Sequence, residues 1–226
     1  MEAIVLLSGG LDSVVNLKYA LDEGRVVLAV TFDYGQAAFE NERRAAEACA
    51  TRYGISHSVV KLPWYRTLVS NPLLGDGEPT RYDGVLPQDK RQLLEEAWIP
   101  NRNCVFISIG AAFGEAMGAD KIVVGLNREE ARVFPDNSRA FLDSMNALLG
   151  ISTLTGVEVS SYTLDMDKRE ILAAGIRIGA PLEFVYSCYR PSPDQAMCGT
   201  CQSCVRLRAA LRESGLGETL VGGFKA

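Results

Sequence analysis

The first residues that could bind a ligand or take part in a reaction form the run Ser8-Gly9-Gly10-Leu11-Asp12-Ser13. This run follows an apolar stretch over residues 3–7 and opens a helix predicted over residues 12–21. Two adjacent glycines let the backbone turn tightly and approach an anion, and a helix start offers unpaired N–H groups to that anion. Because Asp12 would repel a bare phosphate, a divalent cation is expected at the same site. The alternative is that Ser8 or Asp12 only caps the helix after a glycine turn.

A second group of reactive side chains consists of four of the six cysteines, which lie within seventeen residues: Cys188, Cys198, Cys201 and Cys204. In a reducing cytosol such a cluster is expected to bind a metal ion rather than to form disulfides. Four thiolates at these spacings suit tetrahedral Zn²⁺, and a closed site of this kind has a folding role. An iron–sulfur cluster is the competing interpretation, because ferredoxins also use Cys-x2-Cys-x2-Cys spacing.

The elements that must position these residues alternate between apolar runs and amphipathic stretches. The pattern predicts strands over residues 3–7, 25–32, 55–62 and 121–125, and helices over residues 12–21, 38–53 and 103–117. Strands that alternate with helices indicate an α/β fold with a parallel sheet. Ligands of such sheets bind at the carboxyl ends of the strands. The run from Ser8 to Ser13 lies at such an end, directly after the strand predicted over residues 3–7.

Residues 63–100 interrupt this alternation and contain five of the nine prolines. A long irregular insertion is typically a functional lid or a disordered segment. A lid is favoured here because the insertion ends at the polar run Asn101-Arg102-Asn103. The pattern predicts an α/β domain over residues 1–186 and a cysteine-rich region with a C-terminal helix over residues 187–226. The last dozen residues, rich in glycine, are expected to form a loose tail.

Composition excludes several classes of protein. Of the 226 residues, 47% are hydrophobic and 23% are charged, a balance that excludes a disordered chain. The formal net charge of −5 argues against a general polyanion binder, whose affinity depends on many basic side chains. No apolar run reaches the ~18 residues of a membrane span, and the N-terminus lacks the basic region of a signal peptide. A cytoplasmic enzyme without a membrane or direct nucleic-acid partner is expected.

The run from Ser8 to Ser13 resembles the pyrophosphate loop (PP-loop) of the N-type ATP pyrophosphatases, the superfamily of GMP synthetase, asparagine synthetase and the tRNA thiolases. Within that superfamily, the order of motifs is similar to that of the 7-cyano-7-deazaguanine synthases of queuosine precursor biosynthesis. These motifs are Asp33-Tyr34-Gly35-Gln36, Pro100-Asn101-Arg102-Asn103, Gly125-Leu126-Asn127, Phe134-Pro135-Asp136 and the cysteine cluster. Each motif alone is modest, but their joint order over nearly the whole chain is specific.

The resemblance implies an α/β fold with a parallel-sheet, adenine nucleotide α-hydrolase-like (PP-loop) domain and a small C-terminal four-cysteine zinc-binding region. It implies a ligase that converts 7-carboxy-7-deazaguanine to the nitrile by adenylation, amide formation and dehydration. The implied cofactors are ATP, Mg²⁺ and one structural Zn²⁺. Free ammonia is the expected nitrogen source, because the sequence has no room for a separate glutaminase domain. The chain could also assemble as a homodimer.

The resemblance also implies roles for individual residues. The expected catalytic residues are Ser8, Asp12, Ser13 and Lys168. The expected ATP contacts are Leu7, Ser8, Gly9, Gly10, Leu11, Asp12, Ser13, Asp33, Gln36, Arg102 and Gly125. The expected deazapurine contacts are Asn101, Asn103, Asn127, Glu130, Phe134 and Asp136. Carboxylates after the fourth strand can accept hydrogen bonds from the amino and ring N–H groups of a guanine-like base.

Other polar residues are expected to have no role in the reaction. Arg206, Arg208 and Arg212 follow the cysteines in a helical stretch and are expected on a solvated face; the alternative is that they contact phosphate or a partner subunit. His57, the only histidine, is expected to be a packing or surface residue of a strand.

The sequence departs from the family in one motif. Family members carry an Asp-aromatic-Ser-Gly-Tyr-Pro-Asp-Cys-Arg stretch, whereas here Asn137 and Ser138 follow the Pro-Asp pair. This stretch is expected to contact the deazapurine, so the departure bears on the substrate and not on the ATP chemistry. The alternatives are a relative that joins a deazaguanine to another amine and a tRNA thiolase of the same superfamily. The acidic net charge argues against the thiolase.

Overall fold

Five parallel strands form one sheet in the order β3-β2-β1-β4-β5 in the computed structural model, which describes residues 1–225. The strands are β1 (Glu2–Leu6), β2 (Arg25–Asp33), β3 (His57–Lys61), β4 (Lys121–Val123) and β5 (Glu158–Ser160). The four predicted strands and the parallel sheet are confirmed. β5 was not predicted, because its sequence Glu-Val-Ser contains a single apolar residue and forms no apolar run.

Nine α-helices surround the sheet within residues 1–225. They are α1 (Leu11–Glu23), α2 (Phe39–Arg52), α3 (Tyr65–Leu68), α4 (Lys90–Ala97), α5 (Arg102–Met117), α6 (Arg128–Ala131), α7 (Arg139–Ser152), α8 (Lys168–Ile178) and α9 (Gln202–Glu213). Short 3₁₀ helices lie at Pro72–Leu74, Pro135–Asn137, Leu182–Phe184 and Glu218–Leu220. None of the helices in this part of the chain is both long and apolar enough to cross a membrane.

Strand β1 lies at the centre of the sheet and divides the core into two layers. Val5 contributes to the layer that also contains Leu17 of α1 and Leu207 of α9. Ile4 contributes to the opposite layer, with Ile107 of α5. Because successive side chains of a strand point to opposite faces, the continuous apolar run of β1 buries both faces of the sheet. The C-terminal region therefore shares a core with the first α/β units.

The insertion over residues 63–100 contains α3, the 3₁₀ helix Pro72–Leu74 and α4, joined by irregular chain that is nevertheless packed. Tyr65 of α3, Leu74 and Ile99 are almost fully buried. Its residues 78–82, which we call the strap, cross to the cysteine-rich region. There Tyr82 donates its backbone N–H to the carbonyl of Thr200 at 2.8 Å. The insertion is thus held by contacts with a region more than one hundred residues later in the sequence.

Arg190 is the second anchor of the strap. Its guanidinium pairs with Glu78 and donates a hydrogen bond to the carbonyl of Pro79. Glu96 of α4 then accepts hydrogen bonds from the backbone of Thr80 at 2.5 Å and from the hydroxyl of Tyr82 at 2.8 Å. The strap therefore connects the cysteine-rich region to α4.

Two expectations for the C-terminal residues are wrong. The predicted loose tail is packed: Val221 is fully buried, and Phe224 forms a β-bridge with Met197. Arg206 is not on a solvated face, because its side chain is only 7% exposed. Arg208 is half-buried and pairs with Glu218 at 2.8 Å. Tail and helix pack on the first layer of the core, which the local sequence does not reveal.

Candidate active site and metal centre

The run from Ser8 to Ser13 connects β1 to α1 at the carboxyl edge of the sheet. Gly9 has a φ of +78°, and a Cβ at this position would lie 2.6 Å from the Cβ of Ala45. Gly10 is the N-cap of α1 and makes no side-chain cap, and in the first turn the N–H of Leu11 donates to Ser187 Oγ at 3.3 Å. The interpretation of this run as a helix cap provided by Ser8 or Asp12 is therefore wrong. The helix start remains available to an anion.

The end of β4 passes directly over this loop. A Cβ on Gly125 would lie 2.7 Å from the backbone nitrogen of Ser13, so only glycine permits the approach. Inside the loop, the Ser13 hydroxyl donates to the carbonyl of Gly10 at 2.9 Å and lies 3.1 Å from the Ser8 hydroxyl. These contacts fix the two hydroxyls that the sequence predicts as catalytic.

Three charged side chains meet beside the loop. The Lys168 Nζ lies 2.6 Å from Asp12 Oδ2 and 2.9 Å from Glu130 Oε1. Lys168 is the first residue of α8, where a capping box between Asp167 and Glu170 fixes the helix start. The result is a lysine held between two carboxylates, which we call the charged trio.

Asn127 is fully buried and forms hydrogen bonds with two members of the charged trio. Its Nδ2 donates to Asp12 Oδ2 at 2.8 Å, and its Oδ1 accepts from the backbone N–H of Glu130 at 2.8 Å. The other oxygen of Asp12, Oδ1, is buried and has no hydrogen-bond partner within residues 1–225. An unpartnered buried carboxylate oxygen next to a phosphate-binding loop fits a divalent cation.

Burial and mutual charge shift the pKa values of the trio in different directions. Burial raises the pKa of Asp12, in spite of the Lys168 ammonium. Burial would also raise the pKa of Glu130, but Lys168 and Arg206 outweigh it and lower the pKa to about 2. Burial opposes the charge of Lys168, yet the two carboxylates raise its pKa above the ordinary value. Lys168 and Glu130 are therefore charged at neutral pH.

A cavity of about 240 Å³ opens over the trio and extends to an aromatic end. There the rings of Phe32 and Phe106 stack with centroids 4.0 Å apart. The Arg102 guanidinium lies 5.5 Å from the centroid of the Tyr34 ring and 3.2 Å from its hydroxyl. Burial raises the pKa of Tyr34 to about 12, so its hydroxyl stays a neutral donor. A polar end and an aromatic end suit a ligand with a charged group and a planar ring.

The four clustered cysteines form a separate centre. Their sulfur atoms all lie within 4.8 Å of one another, and three of the four residues are buried. Gly199, with a φ of +75°, makes the turn between two of them. The backbone N–H groups of Thr200 and Cys201 donate to the Cys198 sulfur at 3.4 and 3.3 Å. Four convergent thiols in a small buried volume fit one metal ion with a closed tetrahedral shell.

Comparison with known proteins identifies the family. Residues 2–215 match the family model described as "Queuosine biosynthesis protein QueC". The chain belongs to the QueC family. It is 46% identical to the 7-cyano-7-deazaguanine synthase of Desulforudis audaxviator (strain MP104C), over 95% of this chain and 98% of that protein. It is 44% identical to the protein of the same name from Pelotomaculum thermopropionicum, over 96% of this chain and 99% of that protein.

The QueC family fold extends to more distant proteins of known structure. A 4-thiouridine synthetase, solved in complex with RNA and with bound ATP, has a TM-score of 0.50 and 21% sequence identity to this chain. The alignment covers 79% of this chain and 41% of that one. At this identity the likeness shows the shared PP-loop fold alone. The predicted fold class is confirmed.

Most of the residues predicted for this QueC-family site line one cavity. They are Leu7, Ser8, Gly10, Leu11, Asp12, Ser13, Gln36, Arg102, Asn103, Gly125, Glu130, Phe134, Asp136 and Lys168. Among the described residues, the predicted contacts Gly9, Asp33, Asn101 and Asn127 do not line it. Gly9 is turned against α2, and Asp33 accepts the backbone N–H of Gly35 at 3.2 Å. Asn101 is exposed, and Asn127 acts through Asp12 and Glu130.

Several cavity residues were not predicted. Glu42 of α2 lines the wall, where burial raises its pKa and its carboxylate accepts from Gln36 Nε2 at 2.9 Å. The sequence gives no signal for Glu42, because it is one of several glutamates on a polar helix. Asn137, Ser187 and Tyr189 also line the cavity. The position of Tyr189 directly after a clustered cysteine is a signal that could have found it.

Proposed function

We propose that the chain converts 7-carboxy-7-deazaguanine, ammonia and ATP into 7-cyano-7-deazaguanine. The observation that carries this proposal is the combination of QueC-family membership over residues 2–215 with a charged trio at the PP-loop. Curated relatives that share 46% and 44% of the sequence have the corresponding name. No observation favours a thiolase, because the likeness to the 4-thiouridine synthetase extends to the fold alone.

The loop and the charged trio are proposed to hold ATP. The start of α1 and the hydroxyls of Ser8 and Ser13 would face the phosphates. Asp12 Oδ1, which lacks a partner within residues 1–225, would bind Mg²⁺. Lys168, one ammonium between two carboxylates, would neutralise part of the charge that develops at the α-phosphate. Leu7, Gln36, Arg102 and Gly125 complete the proposed ATP contacts.

The deazapurine is proposed to bind on the side of the cavity that follows β4. Glu130 and Asp136 are acceptors there, and Phe134 offers a ring to a planar base. The Asn137 side chain donates to Asp136 at 3.1 Å, so it orients that carboxylate. In this way the departure at Asn137 and Ser138 is compatible with a guanine-like substrate. Asn103 donates to the backbone carbonyl of Asp136 at 3.2 Å and fixes the same loop.

The reaction requires two activations of the same carbon. A carboxylate oxygen attacks the α-phosphate of ATP, pyrophosphate leaves, and the carboxylate becomes an acyl adenylate. Ammonia attacks the carbonyl, AMP leaves with that oxygen, and the excess proton passes to water. The amide oxygen is then adenylated in the same way, and loss of AMP with two N–H protons leaves the nitrile. The residues of the chain contribute by positioning and by stabilising negative charge.

The four cysteines are proposed to bind one Zn²⁺ with a folding role, because a shell of four thiolates leaves no open position for substrate. A cytoplasmic location, a homodimer and small-molecule partners without nucleic acid are part of the same proposal.

The test is incubation of the purified protein with ATP, Mg²⁺, ammonium and 7-carboxy-7-deazaguanine labelled with ¹⁸O in the carboxylate. Mass spectrometry should show the nitrile and one ¹⁸O atom in each AMP released. Label in inorganic phosphate would contradict the adenylation route but not the substrate. Absence of the nitrile, together with amide formation in a parallel incubation that contains a primary amine in place of ammonium, would favour the alternative acceptor.

A further inference from the structure

Arg206 lies between the cysteine cluster and the charged trio. It belongs to α9 and follows Cys204 by two residues. Ser203, one helical turn before it on the same face of α9, lines the cavity. The Arg206 side chain is only 7% exposed, so its guanidinium points into the protein and not into solvent.

The charge of Arg206 is poorly compensated where it lies. The nearest carboxylate oxygen, Glu129 Oε1, is 3.8 Å from Nε, and Nε has no hydrogen-bond partner in the described part of the chain. Burying a charged group is costly unless it is well paired and hydrogen-bonded. Stability alone therefore does not account for an arginine at this position.

The carboxylate that Arg206 faces is part of the support of Lys168. Glu129 Oε2 lies 3.4 Å from the backbone nitrogen of Lys168, and the adjacent Glu130 binds Lys168 Nζ at 2.9 Å. The charged trio has two carboxylates and one ammonium. If Lys168 turns toward an incoming phosphate, Glu129 and Glu130 need another positive charge. Arg206 can supply this positive charge from α9.

We propose that Arg206 is a positioning residue for Lys168, acting through Glu129 and Glu130 on α6. The cysteine cluster, which sets the start of α9, then contributes to the reaction by holding this arginine in place. The proposal rests on the proposed function and adds to it the residue that links the metal centre to the ATP site.

The test compares Arg206→Gln and Arg206→Lys with the matched control Arg212→Gln, an exposed arginine of the same helix. Metal content and circular dichroism of each variant are measured first. We expect Arg206→Gln to keep its metal and to lower kcat about 10- to 100-fold, the loss that small misplacement of a catalytic group can cause. KM should change little. Arg206→Lys should recover most of kcat, and Arg212→Gln should match the unmodified protein.

A double-mutant cycle with Glu130→Gln gives a readout that does not depend on turnover. If Arg206 acts through this segment, the unfolding midpoint of Arg206→Gln/Glu130→Gln falls by less than the sum of the two single changes. Additive midpoints, or a kcat in Arg206→Gln within about twofold of the unmodified protein, overturn the inference. If Arg206→Gln does not fold, the Arg206→Lys protein decides the matter. Normal metal content together with a kcat far below that of the unmodified protein overturns the inference as well. Failure of the unmodified protein to form the nitrile would contradict the proposed function, and the midpoints would still decide the role of Arg206.

Discussion

Asp12 has two carboxylate oxygens with different environments. Oδ2 accepts from Lys168 and Asn127, whereas Oδ1 is buried and without a partner within residues 1–225. We therefore expect Asp12→Asn to lower AMP release by at least about 10²-fold, the scale of losing one electrostatic contact in a water-excluded site. Asp33→Asn is the control, because Asp33 is the last residue of β2 and does not line the cavity. An Asp12→Asn protein that consumes ATP at the normal rate would contradict the cation site.

Asp136 is a test of the deazapurine side. Its carboxylate lines the cavity and accepts from Asn137. Asp136→Asn replaces one acceptor by a donor, so deazapurine binding should weaken by roughly 1–3 kcal/mol, the cost of a mispaired buried polar group. Titration calorimetry should show almost unchanged ATP affinity, and Asp143→Asn, at an exposed position of α7, should change neither. Equal losses for both ligands would place the base elsewhere.

For single residues, the sequence predicts roles that depend on neighbouring positions in the chain, but it does not predict contacts that form only in the tertiary structure. The loop from Ser8 to Ser13 is recognisable because its chemistry depends on neighbouring residues. Asn127 was expected to contact the base, but burial turns it toward Asp12 and Glu130. Arg206 was expected in solvent, because one charged residue on a partly polar helix gives no sign of the surface that covers it.

At the scale of elements, the cysteine cluster determines where α9 begins, since Cys201 is its N-cap and Cys204 lies in its first turn. Cys201→Ser should lose the metal, which metal analysis should find near one equivalent per unmodified chain. The unfolding midpoint should fall, because metal binding contributes folding energy at a closed site. Cys49→Ser, at a buried cysteine outside the cluster, should keep its metal. A brown unmodified protein would indicate iron–sulfur instead of zinc.

The contacts of the strap predict how readily the insertion opens locally. Arg190→Ala removes the contacts with Glu78 and Pro79, so amide hydrogen exchange over residues 78–99 should accelerate while the metal content stays constant. The reason is that local opening depends on the few contacts that hold a segment down. Arg91→Ala, which removes only an exposed pair within α4, is the control. Unchanged exchange in Arg190→Ala would show that the Tyr82–Thr200 contact and the hydrogen bonds to Glu96 hold the strap without Arg190.

Elements with long apolar runs were predictable, and short or long-range ones were not. β1 and β2 carry long apolar runs and β4 belongs to an apolar run over residues 122–124, whereas β5 has one apolar residue between Glu158 and Ser160 and is recognised only by its pairing with β4. Proline-rich composition predicted an irregular insertion, but the anchors of its strap, Arg190 and Thr200, lie in another part of the sequence. Composition carries no information about such distant contacts.

At the scale of the whole molecule, the charged trio should make stability depend on pH. The folded-state pKa of Glu130 is about 2, below its ordinary value of 4.5. Its contribution to the free energy of unfolding is therefore complete above about pH 4.5 and is lost as the pH falls through about 2. The destabilisation caused by Glu130→Gln should be constant near neutral pH and shrink in acid. Urea unfolding of both proteins across this range measures the effect.

The matched control for this pH series is Glu213→Gln, at an exposed position of α9. Its difference from the unmodified protein should not follow the same window. Asp12, whose pKa is raised by burial, has the opposite sign: its protonated form favours the folded state, and that contribution is lost as the pH rises. A Glu130→Gln effect that grows in acid would mean that Glu130 is neutral in the folded protein.

The strap also constrains how the protein is made. Its partner Arg190 is 112 residues later than Glu78 in the sequence, so both cannot leave the ribosome together. While the C-terminal residues are still being translated, β1 to β4 can already pair, but the strap has no surface to pack on. The wall formed by Ala97, Trp98 and Ile99 is then held only from one side. The nascent chain therefore completes this wall of the cavity only after Arg190 has emerged from the ribosome, shortly before Cys198, Cys201 and Cys204 follow it.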